Sequence, residues 1–279
     1  THALRSAIND VVARHESLRT VFPWPEGQPE QVVRAADDAQ IALPIVEISE
    51  DLVDHTVDAE ATQGFDVSSQ LPIRALLIRL GTEDHLLLLT LHHIAADGWS
   101  LRPLAGDLSE AYRARARGAT PTIPELPIQY ADYALWQRRT LGSEDTPDSE
   151  IADQLAYWKN TLTGAPVELR LPVDRPRSAR NIDRVSRRIP VDIDAETHAG
   201  LRRLSGERNA SLFMVLQAAF AVLLSKLGAG NDIPIGTPVA GRTETKLDDL
   251  IGFFVNTIVL RTDTSGNPSL IDVVDRVRA

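Results

Sequence analysis

The sequence predicts a mixed α/β chain of the α+β kind, arranged in two lobes. Three observations carry this. Two strand-like runs, residues 73–80 and 86–91, flank Gly81-Thr82-Glu83-Asp84 and read as a hairpin. Helical periodicity surrounds them, first in Leu4, Ile8, Val11 and Val12. A polar stretch at 171–188, with Pro172, Pro176 and five arginines from Arg175 to Arg187, then separates these from a second helix and strand set. The expected division is a first lobe at 1–170, a linker at 171–188 and a second lobe at 189–279.

Composition narrows the function classes. The 279 residues are 43% hydrophobic, which fits a packed core and excludes a disordered chain. A net charge of −10 disfavours a nucleic-acid partner. The absence of cysteine rules out a disulfide scaffold and fits a reducing cytoplasm. The longest apolar run, 212–224, falls short of the roughly 20 residues that span a bilayer. The chain opens and closes inside helical patterns, so it reads as a piece of something longer.

In order, a helix is expected over 3–16 and a strand over 18–22, stopped by Pro23. Arg14, His15 and Glu16 read as a solvated helix end. A Pro- and Gly-rich loop at 23–30 leads to strands at 31–33 and 42–48. A helix at 54–63 and a connector at 65–71 precede the hairpin. Leu101, Leu104, Leu108 and Tyr112 mark a helix face, and Arg113, Arg115 and Arg117 complement its dipole. Three prolines at 121–127 keep that stretch extended. Helices follow at 128–137, with an aromatic side, and at 151–162. In the second lobe the pattern gives a strand at 185–191 and a helix at 195–205. Ser211 caps an apolar helix at 212–227, ended by Gly228 and expected to be buried all round. Strands at 233–238 and 258–262 flank a bend at 250–257.

The chemistry concentrates after the second hairpin strand, in His92-His93-Ile94-Ala95-Ala96-Asp97-Gly98-Trp99-Ser100. The continuous leucine run suits a strand buried on both faces. Successive strand side chains point oppositely, so His92 and His93 cannot serve one site. With no Cys and no His-x-x-x-His, a metal site is rejected. The strand end delivers one histidine, one carboxylate and a glycine turn to one place. Taken alone, His-x-x-x-Asp is better explained by a core histidine and a turn aspartate.

The longer string is more specific. It resembles the signature of the condensation domains of nonribosomal peptide synthetases, and the wider acyltransferase superfamily shares its His-x-x-x-Asp-Gly part. Three further strings are similar to motifs of that family, in its order. They are Arg14-His15-Glu16-Ser17-Leu18-Arg19-Thr20-Val21-Phe22, then Tyr130-Ala131-Asp132-Tyr133-Ala134-Leu135-Trp136-Gln137, and last Ile251-Gly252-Phe253-Phe254-Val255-Asn256-Thr257 with Arg261 beyond it. The family's first motif is expected before Thr1 and its last two after Ala279.

The resemblance implies a two-lobed chloramphenicol acetyltransferase-like fold, its second lobe incomplete here, with the histidine in a tunnel between the lobes. It implies donor and acceptor peptidyl carrier proteins as partners, and an adjacent adenylation domain in the same synthetase. Phosphopantetheine arms of the carriers would bring the substrates, with no cofactor held by the domain itself. His93 becomes the expected catalytic residue, as a general base toward the attacking amine or as a group that orients it. Gly98 is expected to offer a backbone N–H to the developing oxyanion. His92, Asp97, Trp99 and Ser100 are expected to be structural at the site. Asp97 is expected to pair with Arg19, or else with Arg14. Tyr130, Trp136 and Asn256 are candidates for the tunnel lining. The linker arginines suit docking of an acidic carrier. The rivals are a coenzyme A-dependent acyltransferase and a non-catalytic recruitment platform that keeps the fold. The intact His93, Asp97 and Gly98 favour an enzyme, while activity of the isolated fragment stays open. The incomplete lobe is expected to leave apolar surface exposed.

Overall fold

The computed structural model describes residues 1–174 and 189–279. The expected linker arginines, and the first part of the strand expected at 185–191, fall outside the described residues. The described part of that strand, from Ile189 to Val191, forms no strand and is exposed.

The chain divides into two compact units. The first is Thr1–Ala152 with Ala240–Asn256, and the second is Asp153–Val239 with Thr257–Ala279. This differs from the expected 1–170, 171–188 and 189–279. The boundary falls at 152/153, and a later loop returns to the first unit.

The first unit begins with α1 (His2–Arg14), which buries Ala7, Ile8, Val11 and Val12 on one face. A 3-10 turn (Glu16–Arg19) leads into the short β1 (Thr20–Val21), paired antiparallel with β2 (Val32–Val33). Then come β3 (Ile45–Glu47), α2 (Val53–Thr62), β4 (Ile73–Arg79) and β5 (His85–Leu91). The predicted hairpin is present, with Ile73 opposite Leu91 and Arg79 opposite His85. Strand β3 adds parallel to the other side of β4, with Ile45 opposite Leu77. Thus β4 is the central, buried strand, and β5 lies at the edge, partly exposed, with Leu86 at 38%. The leucine run therefore does not mark a strand buried on both faces. Apolar composition gives no information about which strand ends up central. Next come α3 (Leu101–Ala116), which packs on α1, and α4 (Tyr130–Leu141). The helix α5 (Glu150–Thr161) starts at the boundary between the units. One core joins Val11, Val12, Leu18, Ile73, Ala95, Leu104 and Ile251.

The second unit holds α6 (Ala195–Glu207), α7 (Leu212–Leu224), β6 (Asp232–Val239), β7 (Asn256–Asp263) and α8 (Leu270–Arg278). Strands β6 and β7 pair. Ser211 caps α7, its hydroxyl accepting from the Met214 N–H at 3.2 Å. The helix then widens over Ser225–Ala229, where Gly228 takes φ +94°. Val215 and Ala218 pack with Val273 and Val274 of α8, and Ala221 and Leu224 pack with Ile233. The expectation of burial all round fails here. Phe213, Leu216, Phe220, Leu223 and Leu227 form a stripe that is about half exposed. Over Leu212–Ala229 the helix has the length and composition of a membrane span, a property that core helices share.

Candidate functional site

The histidine motif is carried by a turn, not by the strand. Strand β5 ends at Leu91. The His92 N–H donates to the Pro72 carbonyl at 2.9 Å, and the Ala95 N–H donates to His92 O at 3.0 Å. Ala95 and Ala96 then sink into the core. The Pro72 hydrogen bond at one end and this burial at the other fix the short loop that presents His93.

The two histidines do diverge, though by turn geometry and not by strand alternation. His92 is half-buried. Its Nδ1 accepts from the Ile94 N–H at 3.0 Å, and its ring meets Phe65 edge-on at 5.8 Å. His93 is exposed, and its ring meets Phe253 at 4.9 Å and 74°. Among the described residues, neither ring nitrogen of His93 has a hydrogen bond. A free ring nitrogen can take or give a proton, whereas the Nδ1 of His92 is already engaged.

Asp97 faces the interior, at 4% exposure. It caps the short turn Gly98–Ser100, its Oδ1 accepting from the Ser100 N–H and hydroxyl, each at 2.9 Å. Its Oδ2 accepts from the N–H groups of Phe254 at 3.0 Å and Val255 at 3.2 Å. Arg242 approaches Oδ1 at 3.5 Å. Burial alone would raise the Asp97 carboxyl. The hydrogen bonds from Ser100 and the Phe254 N–H, with the Arg242 charge, outweigh it and hold the carboxyl below its ordinary value.

Ser100 is fully buried and ties the loop 250–255 to this turn. Its Oγ lies 2.9 Å from the Gly252 carbonyl and accepts from the Gly252 N–H at 3.1 Å and from Arg242 at 3.0 Å. Arg242 also donates to the Leu247 carbonyl and stacks 4.1 Å above the Phe254 ring. Two glycines make the close packing possible. A Cβ on Gly252 would lie 2.3 Å from a Tyr130 ring carbon. One on Gly241, at φ +65°, would lie 2.0 Å from the Phe254 carbonyl oxygen.

The other expected residues distribute unevenly. Arg19 does not meet Asp97. It donates to the carbonyls of Ala13 and Arg34 and pairs with Glu16, bracing the 3-10 turn. Arg14 pairs with Asp107 at 2.8 Å, so it is not the partner either. That partner is Arg242, which sequence reasoning passed over. It lies 145 positions away, and its only local signal was a Gly-Arg pair after a strand. His15 is buried, not part of a solvated helix end, and its Nε2 lies 2.7 Å from Asp107. Ser17 donates to the Ile251 carbonyl at 2.7 Å, a second tie to the returning loop. Tyr130 donates to the Phe253 carbonyl at 2.7 Å, and burial raises its hydroxyl above the ordinary value. Trp136 is 45% exposed beside Tyr133. Asn256 is exposed at the first position of β7. Gly98 and Trp99 are exposed beside Asp97, and a Cβ built on Gly98 meets no atom within 4 Å. Neither packing nor a positive φ demands glycine there.

The condensation-domain family model matches residues 1–279. A probable non-canonical nonribosomal peptide synthetase, CymA of Salinispora arenicola, is 50% identical over 99% of this chain and 4% of its own length. A dimodular nonribosomal peptide synthase of Bacillus subtilis is 48% identical over 99% of this chain and 12% of its own. The chain thus spans a small fraction of these relatives. Among solved structures, the X-domain from teicoplanin biosynthesis superposes with a TM-score of 0.93 at 37% identity, covering 99% of this chain and 61% of that one. That X-domain is also solved in complex with OxyB, where the TM-score is 0.89 at 36% identity over 99% of this chain and 60% of that one.

Proposed function

The chain belongs to the condensation-domain family, and from that premise we propose that it joins a donor acyl or peptidyl thioester to an acceptor aminoacyl thioester, both presented by carrier proteins. The acceptor amine attacks the donor carbonyl carbon, an amide bond forms, and the carbon–sulfur bond breaks. The proton lost by the amine passes through His93 and ends on the departing phosphopantetheine thiolate. The single observation that carries this reading is the contrast at residues 92 and 93. His92 is hydrogen-bonded and packed, while His93 is exposed and, among the described residues, neither of its ring nitrogens is hydrogen-bonded.

Asp97 is unsuited to act as the base, because it is buried and both its oxygens already accept hydrogen bonds. Its task in this reading is to hold the loop. The open space over Gly98 suits close approach of a thioester to its backbone N–H, where an oxyanion would be stabilised. The carriers and an adenylation domain are the expected neighbours in a cytoplasmic synthetase. Trp136, Tyr130 and Asn256 remain candidates for contact with the pantetheine-borne groups.

The test is a condensation assay with loaded donor and acceptor carriers and the chain in its native polypeptide. Product from the wild type and its loss by about a hundredfold or more in His93→Ala is the expected result. Unchanged turnover in the variant would sink the assignment. A second reading, a recruitment platform, draws on the likeness to an X-domain solved with OxyB. No product from a folded wild type that still binds both carriers would favour it.

A further inference from the structure

His93 has no hydrogen bond among the described residues to fix its ring, and a general base needs a defined direction. Among the described residues its one ring contact is Phe253, at 4.9 Å and 74°. Phe253 is itself 41% exposed, so its side chain is not needed to fill the core. Its backbone, by contrast, is held on three sides. The Gly252 N–H before it donates to the Ser100 hydroxyl at 3.1 Å, and the Gly252 carbonyl lies 2.9 Å from the same oxygen. Phe254 after it donates to Asp97 at 3.0 Å. Its own carbonyl accepts from the Tyr130 hydroxyl at 2.7 Å. A partly exposed aromatic ring on so firmly held a backbone is a fixed wall.

We propose that Phe253 is a positioning residue, whose ring selects the imidazole orientation that His93 presents to the substrate. The Asp97, Ser100 and Tyr130 contacts then act on the reaction through Phe253. This gives the buried carboxylate a route to the chemistry without touching the substrate. The inference rests on the proposed role of His93. An aromatic pair of this geometry prefers a defined mutual tilt, which an aliphatic side chain of similar bulk cannot impose.

The experiment compares Phe253→Leu, Phe253→Tyr and His93→Gln in the native polypeptide, with kcat and KM for the loaded carriers. Histidine labelled at Cε1 with carbon-13 supplies an independent readout. The His93 resonance, assigned by its loss in His93→Gln, carries the ring-current shift of Phe253. Phe253→Leu is expected to lower kcat roughly tenfold or more with KM unchanged and to remove that shift. Phe253→Tyr is expected to retain both. If Phe253→Leu turns over like the wild type while His93→Gln does not, the positioning role is wrong and the proposed function stands. If the His93 resonance keeps its position in Phe253→Leu, the ring contact is wrong and the inference falls. If His93→Gln itself keeps full turnover, the role proposed for His93 fails and the inference falls with it, while condensation itself stands.

Discussion

Asp97 accepts from four donor groups besides Arg242, and this decides how its neighbours respond to truncation. Asp97→Ala leaves the N–H groups of Phe254 and Val255 unpaired and Arg242 as an uncompensated buried charge. A loss of about 3–5 kcal/mol is expected. Arg242→Ala leaves the carboxylate with its hydrogen bonds from Ser100, Phe254 and Val255, so a smaller loss is expected. Urea denaturation of the two variants measures the order, and the reverse order would contradict this account. The sequence made His93, Asp97 and Gly98 legible because they are neighbours in one string. Arg242 was not legible, because no periodicity or spacing connects residues on opposite sides of so long a chain segment. The Arg19 expectation failed for a local reason. A nearby arginine with strong local acceptors, here the carbonyls of Ala13 and Arg34, is consumed locally.

At the scale of elements, the loop 250–255 is shaped by what cannot be added to it. Gly252→Ala would set a methyl group against the Tyr130 ring, which Phe254 also packs against at 5.1 Å. Overpacking of about 1–3 kcal/mol is expected, together with displacement of Phe253. Thermal melting measures the first, and a melt identical to the wild type would show that the ring can yield. The elements themselves were largely readable. The hairpin followed from two apolar runs around a turn, and α7 followed from its serine cap and apolar length. The faces were less readable. Both β5 and α7 are apolar almost throughout, so composition could not say which sides would be covered. In α7 the small Ala218 and Ala221 face the core while Phe213 and Phe220 do not, the opposite of a rule based on hydrophobicity alone.

At the scale of the whole molecule, stability is linked to pH through buried groups of the first unit. Burial pushes the His15 imidazole below its ordinary value, and the nearby Arg14 charge adds to this. The Asp107 hydrogen bond and charge and the more distant Asp249 pull the other way without prevailing. An imidazole whose folded value is lowered contributes stability that is fully present above about 6.5 and is lost as pH falls toward the folded value. Asp97 and Asp107, also lowered, contribute stability that is lost only below about 3.9. The melting temperature is therefore expected to decline first below about pH 6.5. In His15→Asn it should stay flat down to the carboxylate range. Melts from pH 4 to 8 distinguish the two, and the same descent in both proteins would remove His15 from the account.

The return of residues 240–256 to the first unit has a consequence for how the protein is made. Ser100 follows Asp97 at once, but the partners of the other carboxylate oxygen come far later, Phe254 by 157 positions. At synthesis rates of about 5–20 residues per second, the carboxylate waits roughly 8–30 s for the N–H groups that will hold it. During that interval the first 152 residues lack Ile251, a member of their own core. The N-terminal unit is thus finished late, by a strap that arrives only after most of the second unit has been synthesised.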